Sequence, residues 1–566
     1  MAAVSLCLTS PFLCAASDLN PWGVYTWAGW QPGEVTRETH PHVKGVPIIL
    51  KWDQLEPAPG NYQFDKLVRR PLEAALKEDF FVFMMLWVVP ATPSWLYDNG
   101  VPKVDALGRI NPFRNEVKWD YPYYLDEDYQ NYFFRVIRAW GDFVRELPME
   151  LRERIVFIQS AEGSTGDGQP YKTQPTDPQY RISFEAWSDF RIKVWSVYKE
   201  AFINHSDLPV PLLVNNDANR EKELEWLFDN LNPIGAKQGM FSHGYHISGT
   251  QERLADWQLF VKRAEARGKQ VFTRGEQDGE WNIVGWSKQN PEQAFYWACL
   301  FALHCGLDLW NVPAEAAAGE RLAETLEFFN KYAFQRDPAT ASSAFCALRK
   351  GLDAADSTAY PESDYGPARK DNVDRYLKIA AAFASHGAMQ GDPDKATGAG
   401  MKNRQRDDYN DVGWRILPGN YCRFLKQLNP DETSTGYWHV DPDKHPYSRF
   451  ARALDPAGQQ NEMLFDLASR FFQNQPDSAA FTARITYLDK GQGSWTLDVW
   501  GKHGLMTQTA IELGDTGKWM TVLFDVEGAD MTGPGPEGAD LRIRRVSGND
   551  LLFFHLIEIN RKTDKL

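Results

Sequence analysis

The sequence contains little that would tie the protein to a metal, a membrane or a nucleic acid. It has no CxxC or HExxH pattern, so it shows no common zinc-site spacing. Its net charge of −15 argues against a nucleic acid or an anionic membrane as partner, because such partners require basic patches. No run beyond the N-terminal segment reaches the roughly 18 apolar residues of a membrane span. We therefore predict no metal, cofactor, nucleic acid or membrane span, and the oligomeric state is left open.

Cysteine is also scarce, with six residues in the chain. Cys7 and Cys14 lie in residues 1–16, whose apolar run and final small residues are typical of a secretory signal peptide, although no Lys or Arg precedes the run. A secreted or periplasmic location is therefore expected. The remaining cysteines are expected to be buried thiols rather than a disulfide framework. These are Cys299, Cys305, Cys346 and Cys422.

The overall composition is that of a globular protein with an excess of tryptophan. Hydrophobic residues make up 43% and charged residues 24%, which excludes wholesale disorder. A chain of 566 residues is too long for one ordinary core, so at least two domains are expected. The 21 tryptophans must partly fill that core, and the surplus also suits a protein on which sugar rings stack.

Apolar strand-like runs alternate with amphipathic helical stretches from residue 20 to about 312, which predicts a parallel sheet covered by helices. Eight strands over about 290 residues match the number and size of a (β/α)8 barrel. A doubly wound open sheet is the alternative, but no Gly-rich dinucleotide fingerprint follows the first strand. The predicted strands are residues 22–27, 46–52, 80–89, 155–160, 211–215, 239–245, 270–274 and 307–312.

The C-terminal part of the chain has a different character. The barrel is assigned to residues 17–340. Residues 341–435 are expected to form an irregular linking subdomain, because residues 353–411 are rich in Asp, Gly, Pro and Arg. Short alternating strands separated by turns, without helices, predict an all-β sandwich of the jelly-roll type over residues 436–566. The predicted fold class is therefore α/β, a TIM barrel followed by a β-sandwich.

Two glutamates end predicted barrel strands, where the active sites of such barrels lie. Glu162 follows the fourth strand and Glu276 the seventh. A pair of carboxyl groups at one site can cleave a glycosidic bond, one as nucleophile and one as proton donor, without a metal. We therefore expect the two glutamates to face each other across a sugar. The alternative acids are Asp53, Glu56, Asp167 and Asp278.

The other strand ends carry indole, amide, imidazole and phenol side chains. Such groups predict a ring of sugar contacts, although the tryptophans could equally fill the core. His243 and His246 could form a metal pair, but without a third ligand they are better explained as substrate-binding or hydrogen-bonded core residues. The candidate substrate-binding residues are Trp27, Trp52, Trp87, Asn215, His243, Tyr245 and Trp310.

The segment WDQLEPAPGNYQFD, residues 52–65, resembles the second-strand segment of clan A glycoside hydrolases, the superfamily of β-galactosidases, β-agarases, xylanases and mannanases. The resemblance covers about half the chain and points to the clan, not to one family. It implies a retaining enzyme with Glu162 as acid/base and Glu276 as nucleophile. The C-terminal part is similar to the jelly-roll modules appended to polysaccharide-degrading enzymes.

Further roles follow from the same resemblance. It implies that His243 or Tyr245 hydrogen-bonds the nucleophile, and that Trp310 is the strand-eight tryptophan. Ala161 departs from the clan, which usually has an Asn that holds the sugar 2-hydroxyl before the acid/base. The departure leaves the substrate open, with β-galactan or agar favoured and mannan possible.

Three classes of function remain after these observations. The first, a retaining β-glycosidase acting on a polysaccharide or its oligosaccharides, is expected because both glutamates are present. The second is a catalytically inactive carbohydrate-binding protein. The third is a lyase or a metal-dependent enzyme, which would need a cluster of Tyr, His and Arg or a set of metal ligands at one site.

Overall fold

The computed structural model describes residues 20–27, 30–106, 119–164, 168–215, 221–237, 251–277, 281–282, 290–388, 411–415, 417–440, 445–474 and 478–562. The chain divides into two compact units. The first comprises residues 1–237 and 267–271, and the second comprises residues 238–266 and 272–566. Within the described residues, no helix is both long and apolar enough to cross a membrane.

The described part of the first 312 residues contains ten strands. They are β1 (Gly23–Thr26), β2 (Gly45–Lys51), β3 (Phe81–Trp87), β4 (Lys103–Ala106), β5 (Trp119–Pro122), β6 (Ile155–Gln159), β7 (Leu212–Asn215), β8 (Ile234–Lys237), β9 (Val271–Glu276) and β10 (Leu309–Val312). Eight of them close into a barrel in the order β1-β2-β3-β6-β7-β8-β9-β10, while β4 and β5 form a separate antiparallel pair. The barrel predicted from the sequence is confirmed.

The sixth barrel strand differs from the sequence prediction. The structure has β8 at Ile234–Lys237, whereas the prediction took residues 239–245, which lie outside the described residues. The sequence of β8 is only IGAK, and a glycine and a lysine in four residues give a weak apolar signal. The sequence prediction therefore took the longer run that follows, residues 239–245, as the strand.

The α-helices of the described residues lie between and after these strands. They are α1 (Trp52–Leu55), α2 (Arg70–Lys77), α3 (Ser94–Asp98), α4 (Glu127–Arg145), α5 (Met149–Arg152), α6 (Phe184–Lys199), α7 (Glu221–Asn230), α8 (Gln251–Glu265), α9 (Pro291–His304), α10 (Ala314–Ala317), α11 (Ala323–Tyr332), α12 (Glu362–Tyr365), α13 (Val373–Ala382) and α14 (Pro430–Thr433). Helix α6 begins after Ser183, whose hydroxyl accepts a hydrogen bond from the Ala186 amide and so caps the helix.

An antiparallel β-rich region follows the barrel. Its strands are β11 (Ser343–Ala347), β12 (Leu352–Asp353), β13 (Val412–Gly413), β14 (Tyr421–Arg423), β15 (Leu425–Leu428), β16 (Thr435–Tyr437), β17 (Ala451–Leu454), β18 (Glu462–Leu467), β19 (Ala479–Asp489), β20 (Ser494–Gly501), β21 (Gly504–Thr507), β22 (Ile511–Glu512), β23 (Lys518–Ala529), β24 (Leu541–Ser547) and β25 (Leu552–Arg561). Apart from β12 and β13, which pair with each other, they form one sheet.

This sheet folds over itself to enclose its own core. Strands β23 and β20 are joined by one residue pair, Gly501 with Ala529, so the sheet turns a corner there. The indole of Trp495 on β20 lies 5.1 Å from the Tyr487 ring on β19 and 5.0 Å from the Phe554 ring on β25, on the far side of that corner. The result is the β-sandwich that the alternating strands predict.

The sandwich begins earlier in the chain than the predicted boundary at residue 436. Strand β11 pairs with β25 from Ser343 opposite Asn560 to Ala347 opposite Leu556. Strands β14 and β15 also belong to the same sheet. The segment interpreted as a linking subdomain, residues 341–435, therefore contributes three strands to the sandwich. Local sequence patterns could not predict this, because the five-residue strand β11 pairs with a strand more than two hundred residues away.

A buried histidine is hydrogen-bonded on both ring nitrogens in this second unit. His555 Nε2 lies 2.8 Å from the Tyr296 hydroxyl, and Nδ1 lies 3.1 Å from the Phe450 carbonyl oxygen. The neutral imidazole satisfies both partners when Nδ1 carries the proton, donates it to the carbonyl and leaves Nε2 to accept from the hydroxyl. Burial lowers the pKa of His555 to about 3.

We expect His555 to make the protein less stable in acid. Below pH 6.5 the His555 imidazole binds a proton in the unfolded chain but stays neutral in the folded chain. The free energy of unfolding therefore falls from about pH 6.5 towards pH 3, by about 2 kcal/mol at pH 5. The Asn variant, H555N, should be less stable at pH 7 but lose less stability on acidification, as measured by denaturant midpoints from pH 7 to 4.5. Half-buried His439, whose pKa is lowered to about 4 by partial burial, contributes with the same sign, so the flattening is partial.

The matched control is His503, which is exposed. The H503N variant should follow the wild-type pH dependence. Equal losses of stability in acid for wild type and H555N would contradict the assignment of a neutral, buried imidazole.

Candidate active site

The inner face of the barrel is identified by an aromatic contact across it. Strands β1 and β3 are not neighbours, yet the rings of Tyr25 and Phe83 lie 6.0 Å apart, so both side chains point inward. Phe83 also stacks on Phe157 of β6 at 5.0 Å. Because strand side chains alternate between faces, residues two positions further along share the inner face.

Trp27 and Trp87 lie on this inner face at the C-terminal ends of β1 and β3. Both are half-buried, so each ring keeps exposed surface. Trp87 Nε1 lies 2.8 Å from Met85 Sδ, and exposed Lys51 is its register partner on β2. A held, partly exposed indole provides a flat apolar surface of the kind on which a sugar ring can stack.

Gln159 and Asn215 supply amides on the same face. Gln159 follows Phe157 by two residues and pairs with Leu213, which sets Asn215 on the inner face two residues later. The Gln159 amide nitrogen lies 3.5 Å from Asn215 Oδ1, and both residues are buried. Ala161, next on this face, is also buried and has no polar group.

Trp52, predicted to contact substrate, lies instead in the core. It has no exposed surface, its Nε1 donates to Glu56 Oε2 at 2.9 Å, and its ring lies 5.4 Å from Phe133 on α4. Alternation is the reason, since Trp52 follows Lys51, whose side chain shares the inner face.

Glu56, one of the alternative acids, belongs to the same buried group of side chains as Trp52. Its carboxylate also accepts from the Gly60 amide at 2.6 Å and pairs with Arg135, while its carbonyl oxygen accepts from Trp95 Nε1. The segment that carries the clan resemblance therefore has a structural role in this chain.

Glu162 is held in the layer between strand β6 and helix α6. Its side chain is fully buried. Arg191 Nε donates to Oε1 at 2.6 Å, Trp195 Nε1 donates to the same oxygen at 3.3 Å, and the Ser160 hydroxyl donates to Oε2 at 2.5 Å. Ser160 and Glu162 are both displaced by odd numbers from inward-facing Phe157, which agrees with their outward orientation.

Arg191 serves two buried carboxylates at once. Besides Glu162, it donates from Nη1 to Glu223 Oε2 at 3.0 Å and from Nη2 to the Asn215 carbonyl oxygen at 2.5 Å. Glu223 also accepts from the Ser188 hydroxyl at 2.6 Å. One guanidinium therefore fixes the C-terminal ends of two barrel strands against helices α6 and α7.

Glu276 has the opposite orientation to Glu162 relative to its strand. On the neighbouring β10, Trp310 packs outward, with its ring 4.7 Å from Phe295 on α9 and 5.2 Å from Phe329 on α11. The next residue, Asn311, faces the other way and is the register partner of Glu276. Glu276 therefore faces away from the helices at the end of its strand, and its exposed fraction is 7%.

An arginine orients Glu276 from two residues earlier on the same strand. Buried Arg274 donates from Nη2 to Glu276 Oε2 at 3.0 Å and from Nε to Asn311 Oδ1. The Gln277 amide donates to the Asn311 carbonyl oxygen at 2.7 Å. The Arg274 guanidinium therefore fixes the orientation of the Glu276 carboxyl group at the end of the strand.

The remaining candidates are placed as follows. Trp310, a predicted substrate-binding residue, lies instead in the helix layer, because its neighbour Asn311 takes the inner face. His243, Tyr245, Asp167 and Asp278 lie outside the described residues. Asp53 is exposed on α1, directly after β2, and partial burial of its carboxyl raises its pKa.

Sequence reasoning did not identify the arginines. Arg274 could have been found, because a residue two positions before a strand-end glutamate shares its face. Arg191 gives a weaker signal, as a charged residue within the buried stripe of Trp187, Phe190 and Val194 on α6. Within the part of the chain that the structure describes, no group of three or more His, Cys, Asp or Glu side chains is arranged to hold a metal ion.

Comparisons with known proteins give only distant likenesses. No protein-family model matches the sequence, and no curated protein matches it. Among solved structures, a β-galactosidase from the psychrophilic Marinomonas ef1 is 12% identical, with a TM-score of 0.35, over 55% of this chain and 59% of its own. The match thus spans less than two thirds of that enzyme.

Two further solved structures are similar over most of this chain. A family 39 glycoside hydrolase from Bacteroides cellulosilyticus WH2 is 12% identical, with a TM-score of 0.35, over 95% of this chain and 81% of its own. A glucosidase from Croceicoccus marinus is 9% identical, with a TM-score of 0.31, over 96% of each chain. Likenesses at this level do not identify a function, so the residues themselves must support one.

We expect removal of Arg191 to destabilise the protein strongly. The variant R191M would leave Glu162 and Glu223 as buried carboxylates without their shared cation, which should cost about 3–5 kcal/mol in the free energy of unfolding. Arg138, in an exposed pair with Glu200 at 3.5 Å, is the matched control, and R138M should cost less than about 1 kcal/mol. Denaturant unfolding of both variants measures the difference, and similar losses would contradict the described burial of the Arg191 cluster.

Proposed function

We propose that the protein is a retaining glycoside hydrolase that cleaves β-glycosidic bonds in a polysaccharide or its oligosaccharides, with Glu276 as the nucleophile. The observation that carries the proposal is the setting of Glu276. It ends a barrel strand, faces away from the helices and is oriented by Arg274, and catalytic groups of such barrels come from the C-terminal strand ends.

The reaction proposed for Glu276 has two steps. In the first, its carboxylate attacks the anomeric carbon while the bond to the leaving oxygen breaks and an acid protonates that oxygen. In the second, a water molecule, deprotonated by the same acid/base residue, displaces Glu276 and releases the sugar with its original anomeric configuration.

The acid/base is the second part of the proposal, and the resemblance to clan A hydrolases implies Glu162. Its bonds to Ser160, Arg191 and Trp195 count against this role, because the carboxyl group would have to exchange them for the leaving oxygen when substrate binds. Asp53 is the alternative, since it is exposed after β2 and its raised pKa suits a proton donor.

Sugar contacts are proposed for the inward-facing residues. Trp27 and Trp87 would stack on sugar rings, and Asn215 with Gln159 would supply the amide contacts that Ala161 cannot make. His243 and Tyr245 remain proposed contacts of the nucleophile.

The substrate class remains β-galactan or agar, with mannan as the alternative. Residues 1–16 remain the proposed signal for export.

Substitution of the carboxylates tests the assignment. E276Q should lower the turnover of agar, β-galactan or mannan by at least about 10³-fold, because the nucleophile is lost. The acid/base variant, either E162Q or D53N, should lose activity on polysaccharide but still form the glycosyl-enzyme from an aryl glycoside whose leaving group needs no proton. Reducing-sugar release and the burst of aryl alcohol measure the two effects.

The control for these variants is Glu185, an exposed glutamate near the start of α6. E185Q should retain wild-type activity. Full activity in E276Q would overturn the proposal, and an E162Q variant that loses activity on both substrates together with thermal stability would assign Glu162 a structural role.

A catalytically inactive carbohydrate-binding protein is the second candidate, favoured by the complete burial of Glu162 against Arg191. It predicts that the wild type binds a polysaccharide by affinity electrophoresis without releasing reducing sugar. It also predicts that replacing Trp27 or Trp87 by alanine weakens that binding, whereas E276Q does not.

A further inference from the structure

Two cysteines face each other in the β-sandwich. Strands β11 and β14 are antiparallel neighbours, and Cys346 and Cys422 are direct partners in their register. The two sulfur atoms lie 3.1 Å apart. In sequence the residues are 76 positions apart, so only the fold brings them together.

The backbone around this pair also favours a short separation between the strands. The Cys422 amide donates to His304 Nδ1 at 3.0 Å, so it is directed at the end of helix α9 and not at Cys346. Partners that do not exchange backbone hydrogen bonds in an antiparallel ladder have Cα atoms about 4.5 Å apart and bring their side chains closest. A disulfide requires Cα atoms about 4.4–6.8 Å apart, a range that includes the separation typical of such partners.

We propose that Cys346 and Cys422 form a disulfide bond when the folded protein meets a low-molecular-weight disulfide. The bond would link β11 to β14 inside one sheet. Cys346 is fully buried in the sandwich core, whereas Cys422 is only partly buried, so Cys422 is the thiol that an oxidant reaches first.

The exchange balances with oxidised glutathione as the oxidant. The Cys422 thiol loses its proton, and the thiolate attacks one sulfur of glutathione disulfide and expels a glutathione thiolate, which takes up a proton. The Cys346 thiol, once deprotonated, then attacks the Cys422 sulfur of the mixed disulfide and expels the second glutathione. The protein loses two hydrogen atoms, and one glutathione disulfide becomes two thiols.

The buried cysteines of helix α9 provide the matched control. Cys299 directs its sulfur to the Thr325 carbonyl oxygen at 3.5 Å, and Cys305 follows the last residue of the same helix. Cys299 lies on the helix, Cys305 lies directly after it, and both are buried and outside the strands of the sheet. A C299S substitution should therefore leave the proposed bond intact.

The test uses the full chain, reduced, freed of reductant and incubated with oxidised glutathione. After denaturation, the number of free thiols per chain should be lower by two in the wild type and in C299S. In C422S, which lacks one of the two cysteines, this loss of two thiols should not occur. Tryptic digestion without reductant should give peptide 337–349 joined to peptide 416–423, with the mass of the two peptides less two hydrogen atoms. Reductant should separate them.

The outcomes that overturn the proposal are equally specific. They are an unchanged thiol count in the wild type, a stable glutathione adduct on Cys422, or a linked peptide containing any other cysteine. The peptide map of the wild type decides the matter even if C422S fails to fold.

Discussion

The alternation of side chains along a β-strand is the constraint on which the candidate site depends. In the barrel, each strand residue faces either the interior or the helices, and the contact of Tyr25 with Phe83 establishes which is which. The same rule turns Glu162 towards α6 and turns Glu276 away from the helices. Two glutamates with the same position in the sequence pattern thus have different surroundings.

Arginine gives each glutamate its surroundings. Arg191 binds Glu162 in a buried layer where strand ends and helices meet, so this ion pair positions backbone as well as side chains. Arg274 donates a hydrogen bond to Glu276 at the end of β9, and Asn311 is the register partner of Glu276 on β10. Burial of a charged pair is costly unless hydrogen bonds complete it. The Ser160 hydroxyl and the Trp195 indole complete those of Glu162, and the Asn215 carbonyl oxygen accepts from Arg191.

The fold could be predicted from the sequence where the strands are long, apolar runs. The prediction failed where a strand is short or its apolar pattern is weak. Strands such as FVFMMLW at Phe81–Trp87 are unmistakable apolar runs, and seven barrel strands were placed correctly, but IGAK at Ile234–Lys237 is too short and weakly apolar. At the site, a shift of one residue at a strand end reverses the face. The sequence therefore located Glu162, Trp52 and Trp310 at strand ends without showing that they point towards the helices.

The most direct test of the proposed mechanism is to identify the residue that becomes covalently attached to the sugar. A 2-deoxy-2-fluoro-β-glycoside with a good leaving group slows the second step more than the first and should leave a glycosyl-enzyme that peptide mass spectrometry can locate. The proposed mechanism predicts a label on Glu276. A label on another carboxylate, or none despite confirmed turnover of the parent glycoside, would contradict it.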